Sequence, residues 1–477
     1  MPGRPLTISL NANQSKKFVC LLPDDTTNCK AFILKEARNK FRIKGLSHVF
    51  VQGGAELHDE EAIRYDNSSF FVSKGEAYVG RTAAPSNTNQ RGEIRIIADK
   101  SFIDDKAISQ LKAVASLPGV HLACGMPDLH PGDRFPVGCV IVADGVYPAL
   151  IGSDIGCGIG LYELSSLSRS AANPSKLAGL LRGLDEPWDG SASQWLSHYG
   201  LPSRPELETS LGSVGLGNHF AEICTVERIV DEGLAQKSRI KSSAMYLLVH
   251  TGSRGLGSSI LANVTRAESN PYFSEQSSSF NSYLDEHDYA IKWAVSNRDL
   301  VARRIQHCLF APGTTDSELD KLDKILDVTH NSVSRSVLLI GGEKKDVWIH
   351  RKGAAPADRG ATPCPGSRGD FSWLLEPVGD GHENAHSLAH GAGRRHPRQV
   401  LHTIANKYTK SSLTTTTLGS EVVCTDSDLL VEEMPEAYKS IQCVVDDMTD
   451  KGICRGIAVL RPVVSYKVRE GGQRNKK

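Results

Sequence analysis

The stretch Ile-Gly-Ser-Asp-Ile-Gly-Cys-Gly-Ile-Gly, from Ile151 to Gly160, constrains the chain more than any other. Four of its ten residues are glycine, so it reads as a loop whose backbone can come close to whatever its side chains hold. Asp154 and Cys157 stand three residues apart within it. A carboxylate and a thiol contribute little to packing, but they make half of a site for a divalent metal. The other half must come from elsewhere, and His219, His250, His330, His350 and His390 are placed to supply it.

Five further stretches combine glycine with ligand-type residues. Met126-Pro-Asp128-Leu-His130-Pro-Gly132 comes first, then Gly215-Leu-Gly217-Asn218-His219-Phe-Ala-Glu222. The strand-like run Met245 to Val249 delivers His250 directly before Thr-Gly-Ser-Arg254-Gly. A helical pattern over Glu318 to Thr329 ends at His330-Asn331 and places His330 on its apolar face, four residues after Leu326. The last is Ala389-His390-Gly391-Ala392-Gly393-Arg394, followed by Arg398. A single buried histidine is usually an ordinary core residue. Repeated glycines beside histidines cost stability, however, and site construction gives a reason for them that packing does not.

Asp154, Cys157, His219, His250 and His330 offer one carboxylate, one thiolate and three imidazoles. They suffice for two metals if the thiolate bridges. Thiolate with imidazole suits Zn²⁺, the carboxylate favours Mn²⁺, and ligand type alone leaves the metal open. Two metals about 3.5–4 Å apart form a clamp for phosphoryl or nucleotidyl transfer. Arg254, Arg394 and Arg398 can make planar contacts to phosphates. His390 is left as a base, or as a nucleophile that carries a transferred phosphoryl group.

The 477-residue chain has room for two or three domains. Lysine plus arginine equals aspartate plus glutamate at 55 each, so a polyanion must be met by local basic patches rather than a global field. The eleven cysteines include no C-x-x-C pair, an odd and unclustered count that argues against a disulfide framework or zinc knuckle and favours a reducing compartment, cytosol or nucleus. No apolar run is long enough to span a bilayer. Residues 94–477 mix strand-like and helical segments without repeats or a βαβ cadence, the mark of an α+β fold. Its clear helix lies at Ala107 to Ala115, and strand-like runs at Val140 to Ala143, Met245 to Val249 and Val337 to Ile340. Residues 81–93, rich in Ser, Thr, Asn, Gln and Pro, form a linker, and Lys467 to Lys477 a basic tail. Before the linker, Leu6 to Leu10 and Phe18 to Leu22 flank a polar turn at Asn11 to Ser15. A helical pattern over Cys29 to Phe41 with Asn28 as N-cap follows, then strands at Val49 to Val51 and Ser69 to Val72. That order over residues 1–80 resembles a ubiquitin-like β-grasp module, which would bind an unidentified protein.

Taken together the motifs resemble the RtcB family of GTP-dependent RNA-splicing ligases, over about Ile94 to Lys467. Besides the stretches above, they include Arg351-Lys-Gly-Ala354, Pro365-Gly-Ser367, Pro435-Glu-Ala-Tyr-Lys439 and Leu460-Arg-Pro462 with Lys467. The resemblance implies one large α+β catalytic domain holding two Mn²⁺ ions. Cys157 would bridge them, with Asp154 and His219 on one and His250 and His330 on the other. It implies that His390 attacks the α-phosphate of GTP to give a histidine–GMP intermediate. The GMP then passes to an RNA 3′-phosphate, and a 5′-hydroxyl end attacks to seal the strand. Nucleotide contacts fall to Asn218, Glu222, Asn331, Ser372, Gly391, Ala392, Gly393 and Lys467, and phosphate contacts to Arg254, Arg394 and Arg398. The implied substrates are tRNA exon halves or broken RNA, and the implied partner is archease. Pro131, Arg134, Arg368 and Ala389 depart from the residues usual in the family, and the first 80 residues have no counterpart in a typical member. The alternatives are an enzyme that guanylylates 3′-phosphate ends of RNA or DNA without sealing, and an RNA-binding adaptor with a retired site. The intact ligand set argues against retirement.

Overall fold

A computed structural model of the protein describes residues 4–23, 26, 28–51, 56–57, 69–79, 92–184, 186–215, 217–266, 270–310, 322–405 and 408–468. The chain divides into two compact units, residues 1–90 and 91–477. The expected linker lies outside the described residues up to 91, and Glu93 already opens a strand of the second unit. The basic tail beyond Val468 also lies outside them.

In the first unit, strands β1 (Arg4–Leu10), β2 (Asn13–Leu22), β3 (His48–Val51) and β4 (Ser69–Ser73) form a sheet of order β2-β1-β4-β3. Strands β1 and β4 run parallel, and the other pairs antiparallel. The turn between β1 and β2 is tighter than the sequence suggests, because β2 resumes at Asn13. Helix α1 (Cys29–Phe41) starts where Asn28 accepts the Ala31 amide, as expected of an N-cap. It buries Ile33, Leu34 and Ala37 with Leu6, Ile8, Val49, Phe70 and Val72 of the sheet.

The second unit opens with β5 (Glu93–Ile96), helix α2 (Asp105–Ala115), β6 (Val120–His130) and β7 (Val137–Ala143). Strands β8 (Gly158–Ser168), β9 (Phe220–Ile229), β10 (Ala244–Thr251) and β11 (Asp323–Thr329) follow, with a 32-residue helix, Ser278–Leu309, between β10 and β11. Then come β12 (Asn331–Ile340), β13 (Glu343–Lys352), β14 (Ala354–Pro356), β15 (Thr362–Pro365), β16 (Ser372–Pro377) and β17 (Ser387–Ala389). Strands β18 (Glu421–Val423) and β19 (Cys454–Tyr466) complete the unit. One sheet has the order β11-β8-β10-β9-β19-β16-β15, with β18 added beside β19. A second has the order β12-β13-β7-β6-β5, and β14 pairs with β17 alone. Among the described residues no helix is long and apolar enough to cross a membrane.

The central strands of both larger sheets are covered on two faces, which is why β7 and β10 read as continuous apolar runs, while the outer halves of β12 and β13 are largely exposed. Met245, Leu247 and Val249 of β10 pack with Val301, Ala302 and Ile305 of the long helix. The alternate residues Tyr246 and Leu248 face Ile159, Leu161, Leu374 and Leu460. Helix α2 closes one face of the second sheet through Ala107, Leu111 and Val114. With such cores of its own, the segment 92–477 is expected to fold without the first ninety residues. Circular dichroism and thermal melting of that fragment check this; a molten, uncooperative fragment would contradict it.

One expected element is absent. The described part of the helix expected over 318–329 is strand β11, paired antiparallel with β8 from Asp323↔Glu163 to Thr329↔Gly158. Ile325, Val328 and Thr329 are β-branched, and a free strand edge was available to pair with them. The four-residue spacing from Leu326 to His330 therefore carries no helical meaning.

Candidate functional site

The antiparallel order β11-β8-β10-β9 brings four distant segments to one edge. Strand β8 starts just after Cys157, β10 ends just after His250, β9 starts just after His219, and β11 ends just before His330. Register holds them level: Gly158 pairs with both Thr251 and Thr329, and His250 pairs with Phe220. His330 is the joint where the chain leaves one sheet for the other, its amide donating to the Cys157 carbonyl at 2.8 Å.

Side chains from these four segments converge. His219 Nε2 lies 2.8 Å from Asp154 Oδ2 and 3.3 Å from Cys157 Sγ. His250 Nε2 lies 3.3 Å from the same sulfur and 3.2 Å from His330 Nε2. The ligand atoms form two groups, Asp154–Cys157–His219 and Cys157–His250–His330, each within 4.8 Å, and Cys157 belongs to both. Gly252 permits this approach, since a β-carbon there would stand 2.1 Å from Asp154 Oδ1.

The electrostatics fit a cation among these atoms. Burial, then the Asp154 charge, pushes the Cys157 thiol far above its ordinary value. Burial also holds His250 and His330 well below theirs, so both imidazoles are neutral and keep lone pairs for ligation. Sulfur, nitrogen and carboxylate atoms crowd together here at 2.8–3.3 Å. Divalent ions relieve that crowding and draw off the thiol proton.

His390 follows β17 and stands beside this cluster, its ring centroid 4.7 Å from that of His330. Its Nδ1 lies 2.6 Å from Asp128 Oδ2. A carboxylate accepts, so Nδ1 carries the proton and Nε2 keeps the lone pair. Asp128 sits fully buried in the irregular part of β6, with Lys439 donating to the carbonyls on either side of it, Pro127 and Leu129, at 2.9 and 2.7 Å. Burial brings that lysine down to about 8. Gly353, at φ 66°, leaves room for the ring, because a β-carbon there would come within 2.9 Å of His390 Cε1.

A cavity of about 380 Å³ opens in front of these groups. Its wall includes Asn218, Glu222, Asn331, Gly391, Ala392, Gly393, Arg394, Arg398 and Lys467. Asn331 also braces the site, donating to the Asp154 carbonyl and accepting from the Gly353 amide. Burial raises Glu222 to about 7, and its carboxylate accepts from the Ser465 hydroxyl. Lys467 donates to the His219 carbonyl at 3.0 Å. Arg394 pairs with Glu433 at 2.9 Å, and Arg398 lies 3.7 Å from Glu432 and Glu433.

Two expected contacts sit elsewhere. Ser372 pairs in the sheet between Pro365 and Leu460, outside the described cavity wall. Arg254 lies behind the cluster, its Nη1 3.5 Å from His219 Nδ1. His350 is a core histidine: its Nε2 accepts the Tyr147 amide at 2.9 Å.

Sequence reasoning left two important residues without a role. Asp128 lay in a quoted motif, and its Met-Pro-Asp setting beside His130 was the available signal. Arg298 gave none, being one cation in a long helix. Fully buried, it donates to the carbonyls of Gly156 and Thr251 and forms a two-pronged pair with Asp327, at 2.7 and 2.8 Å. It thus ties together the segments carrying Cys157, His250 and His330. Arg298→Met strands the nearly buried Asp327 and is expected to cost about 3–5 kcal/mol. Chemical denaturation measures this, and a loss under about 1 kcal/mol would remove the tie.

The family model described as tRNA-splicing ligase RtcB matches residues 110–189 and 201–468. The RNA-splicing ligase RtcB2 of Escherichia coli is 41% identical over 384 residues, covering 80% of this chain and 96% of its own. The tRNA-splicing ligase RtcB of Methanococcus maripaludis is 27% identical over 442 residues, 76% of this chain and 91% of its own. The RNA-splicing ligase RtcB of Mycobacterium tuberculosis is 28% identical over 445 residues, 75% of this chain and all of its own.

Proposed function

The chain belongs to the RtcB family, and from that premise we propose that it is an RNA ligase joining 3′-phosphate or 2′,3′-cyclic phosphate ends to 5′-hydroxyl ends, with GTP as co-substrate and two Mn²⁺ ions. The observation that carries this reading is the state of His390. Its Nδ1 is committed to Asp128, and its Nε2 is left for a substrate beside a two-part ligand cluster.

Asp154, Cys157 and His219 would hold one ion, and Cys157, His250 and His330 the other. When bound, such a pair neutralises charge developing on phosphoryl oxygens. The carboxylate among the donors suits Mn²⁺. His390 Nε2 attacks the α-phosphorus of GTP, forming a P–N bond as pyrophosphate departs. Asp128 keeps the proton on Nδ1 throughout and stabilises the positive charge that the ring acquires. Water opens a 2′,3′-cyclic end to a 3′-phosphate by breaking its P–O2′ bond, and an oxygen of that 3′-phosphate then takes the GMP from His390, which regains its lone pair. Attack by a 5′-hydroxyl on the activated RNA phosphate releases GMP and leaves the joined strand. Asn218 and Glu222 contact the nucleotide, Lys467 reads guanine, and Arg394 and Arg398 hold phosphates.

Archease fits as the partner that sustains repeated guanylylation, and tRNA exon halves or broken RNA as substrates. The mixed four-stranded sheet and the helix Cys29–Phe41 among the described residues of the first unit support its reading as a ubiquitin-like β-grasp module for a partner protein.

The test is a strand-joining assay with one RNA ending in a 2′,3′-cyclic phosphate and another beginning with a 5′-hydroxyl. Joined RNA that requires both GTP and Mn²⁺ is expected. Accumulation of 3′-guanylylated RNA without joining would favour a capping enzyme.

A further inference from the structure

The loop after β15 puts a third guanidinium, besides those of Arg394 and Arg398, into the cavity wall, and the proposed chemistry does not use it. Arg368 is 8% exposed and lines the cavity with Ser367, Glu433, Tyr438 and Lys467. Its Nη2 donates to the Leu430 carbonyl at 3.0 Å, which anchors the group. Its Nη1 is buried and has no hydrogen-bond partner among the described residues. The nearby carboxylate does not supply one. Glu433 is already shared among Arg394 at 2.9 Å, Lys467 at 3.8 Å, Arg398 at 3.7 Å and the Tyr438 hydroxyl. A buried donor left unpaired beside a cavity is satisfied when a ligand brings an acceptor.

The position of Arg368 limits what that acceptor is. The loop is fixed under His390, since the Ala392 amide donates to the Pro365 carbonyl at 3.0 Å. His390 and the metal-ligand groups set where phosphorus sits. Arg368 belongs to neither and stands in the same wall as Lys467, the residue proposed to read guanine, so it meets the nucleotide on its base side. A guanidinium donates only. Guanine presents two adjacent acceptors, O6 and N7, whereas adenine presents N7 beside an amino donor.

We propose that Arg368 is a specificity-determining residue that donates to the O6/N7 edge of the bound purine and selects guanine over adenine. The assignment rests on GTP being the nucleotide used. A site built to donate to an acceptor pair rejects an analogue lacking one of them, because its own donor is then left buried and unpaired.

Equilibrium dialysis with Mn²⁺ of the full-length protein carrying His390→Ala, so that no covalent adduct forms, tests this, with wild-type referring to position 368. The ligands are GTP, 7-deaza-GTP (no N7), 2-aminopurine riboside triphosphate (no O6) and ATP. Wild-type protein is expected to bind each single-acceptor analogue roughly tenfold more weakly than GTP, and ATP roughly 100-fold more weakly. Arg368→Met should lower GTP binding to the level of the analogues and bring all the ratios close to one. Arg368→Lys, which keeps one donor, should restore part of the discrimination. A purely structural role would weaken every ligand alike, so wild-type ratios in Arg368→Met would overturn the assignment. Failure of wild-type protein to bind any triphosphate would instead remove the GTP reading on which it rests.

Discussion

His390→Ala is expected to abolish covalent guanylylation, by at least about 10⁴-fold, while leaving fold and metal content intact. The five proposed ligands close both metal groups without His390. Its ring instead makes a 2.6 Å contact with the buried Asp128. That contact has no packing purpose that a smaller apolar pair would not serve. It does fix the tautomer, leaving Nε2 unprotonated at the cavity. The wild-type adduct should be labile in acid and stable in alkali, as a phosphoramidate is. Protein lacking the imidazole should still seal RNA supplied with a guanylylated 3′ end, since only the first transfer needs the ring. Loss of that sealing together with the adduct would mean that the substitution damaged the site at large.

The second large effect is on metal. Cys157→Ser is expected to empty both metal groups, weakening each by at least roughly 100-fold. The sulfur is the one atom common to the two groups, 3.3 Å from both His219 and His250. A serine hydroxyl is far less acidic than a thiol and does not yield its proton to a divalent ion so readily. His330→Ala, by contrast, should empty only the group containing His250. Metal analysis after dialysis reads both variants. Full two-metal content in Cys157→Ser would return Cys157 to the role of a buried loop residue.

What the sequence disclosed of this site follows from the chemistry of its loops. Asp154, Cys157, His219 and His250 stand at strand ends near glycines, and those glycines are the local trace of a crowded centre; His330 has none nearby. The strand partners that bring them level are non-local, so convergence itself was not legible. Strand β11 shows how local pattern misleads: pairing with β8 outweighs a four-residue apolar spacing. Asp128 was visible as a residue but not as the partner of His390, because 262 positions separate them in the chain. Arg298 and Arg368 act through burial and through the presence or absence of partners, neither of which a linear pattern encodes. Ser372 and Arg254 lie behind or beside the cavity wall rather than in it, a distinction set by side-chain direction within a sheet and a turn.

The most direct measurement is to incubate full-length protein with Mn²⁺ and GTP labelled at the α-phosphate, then map the labelled peptide. The label is expected on His390 alone, released by mild acid and retained in alkali. GTP labelled only at the γ-phosphate should leave the protein unlabelled. Label on a lysine or on another histidine, or no covalent label with both metals bound, would contradict the account.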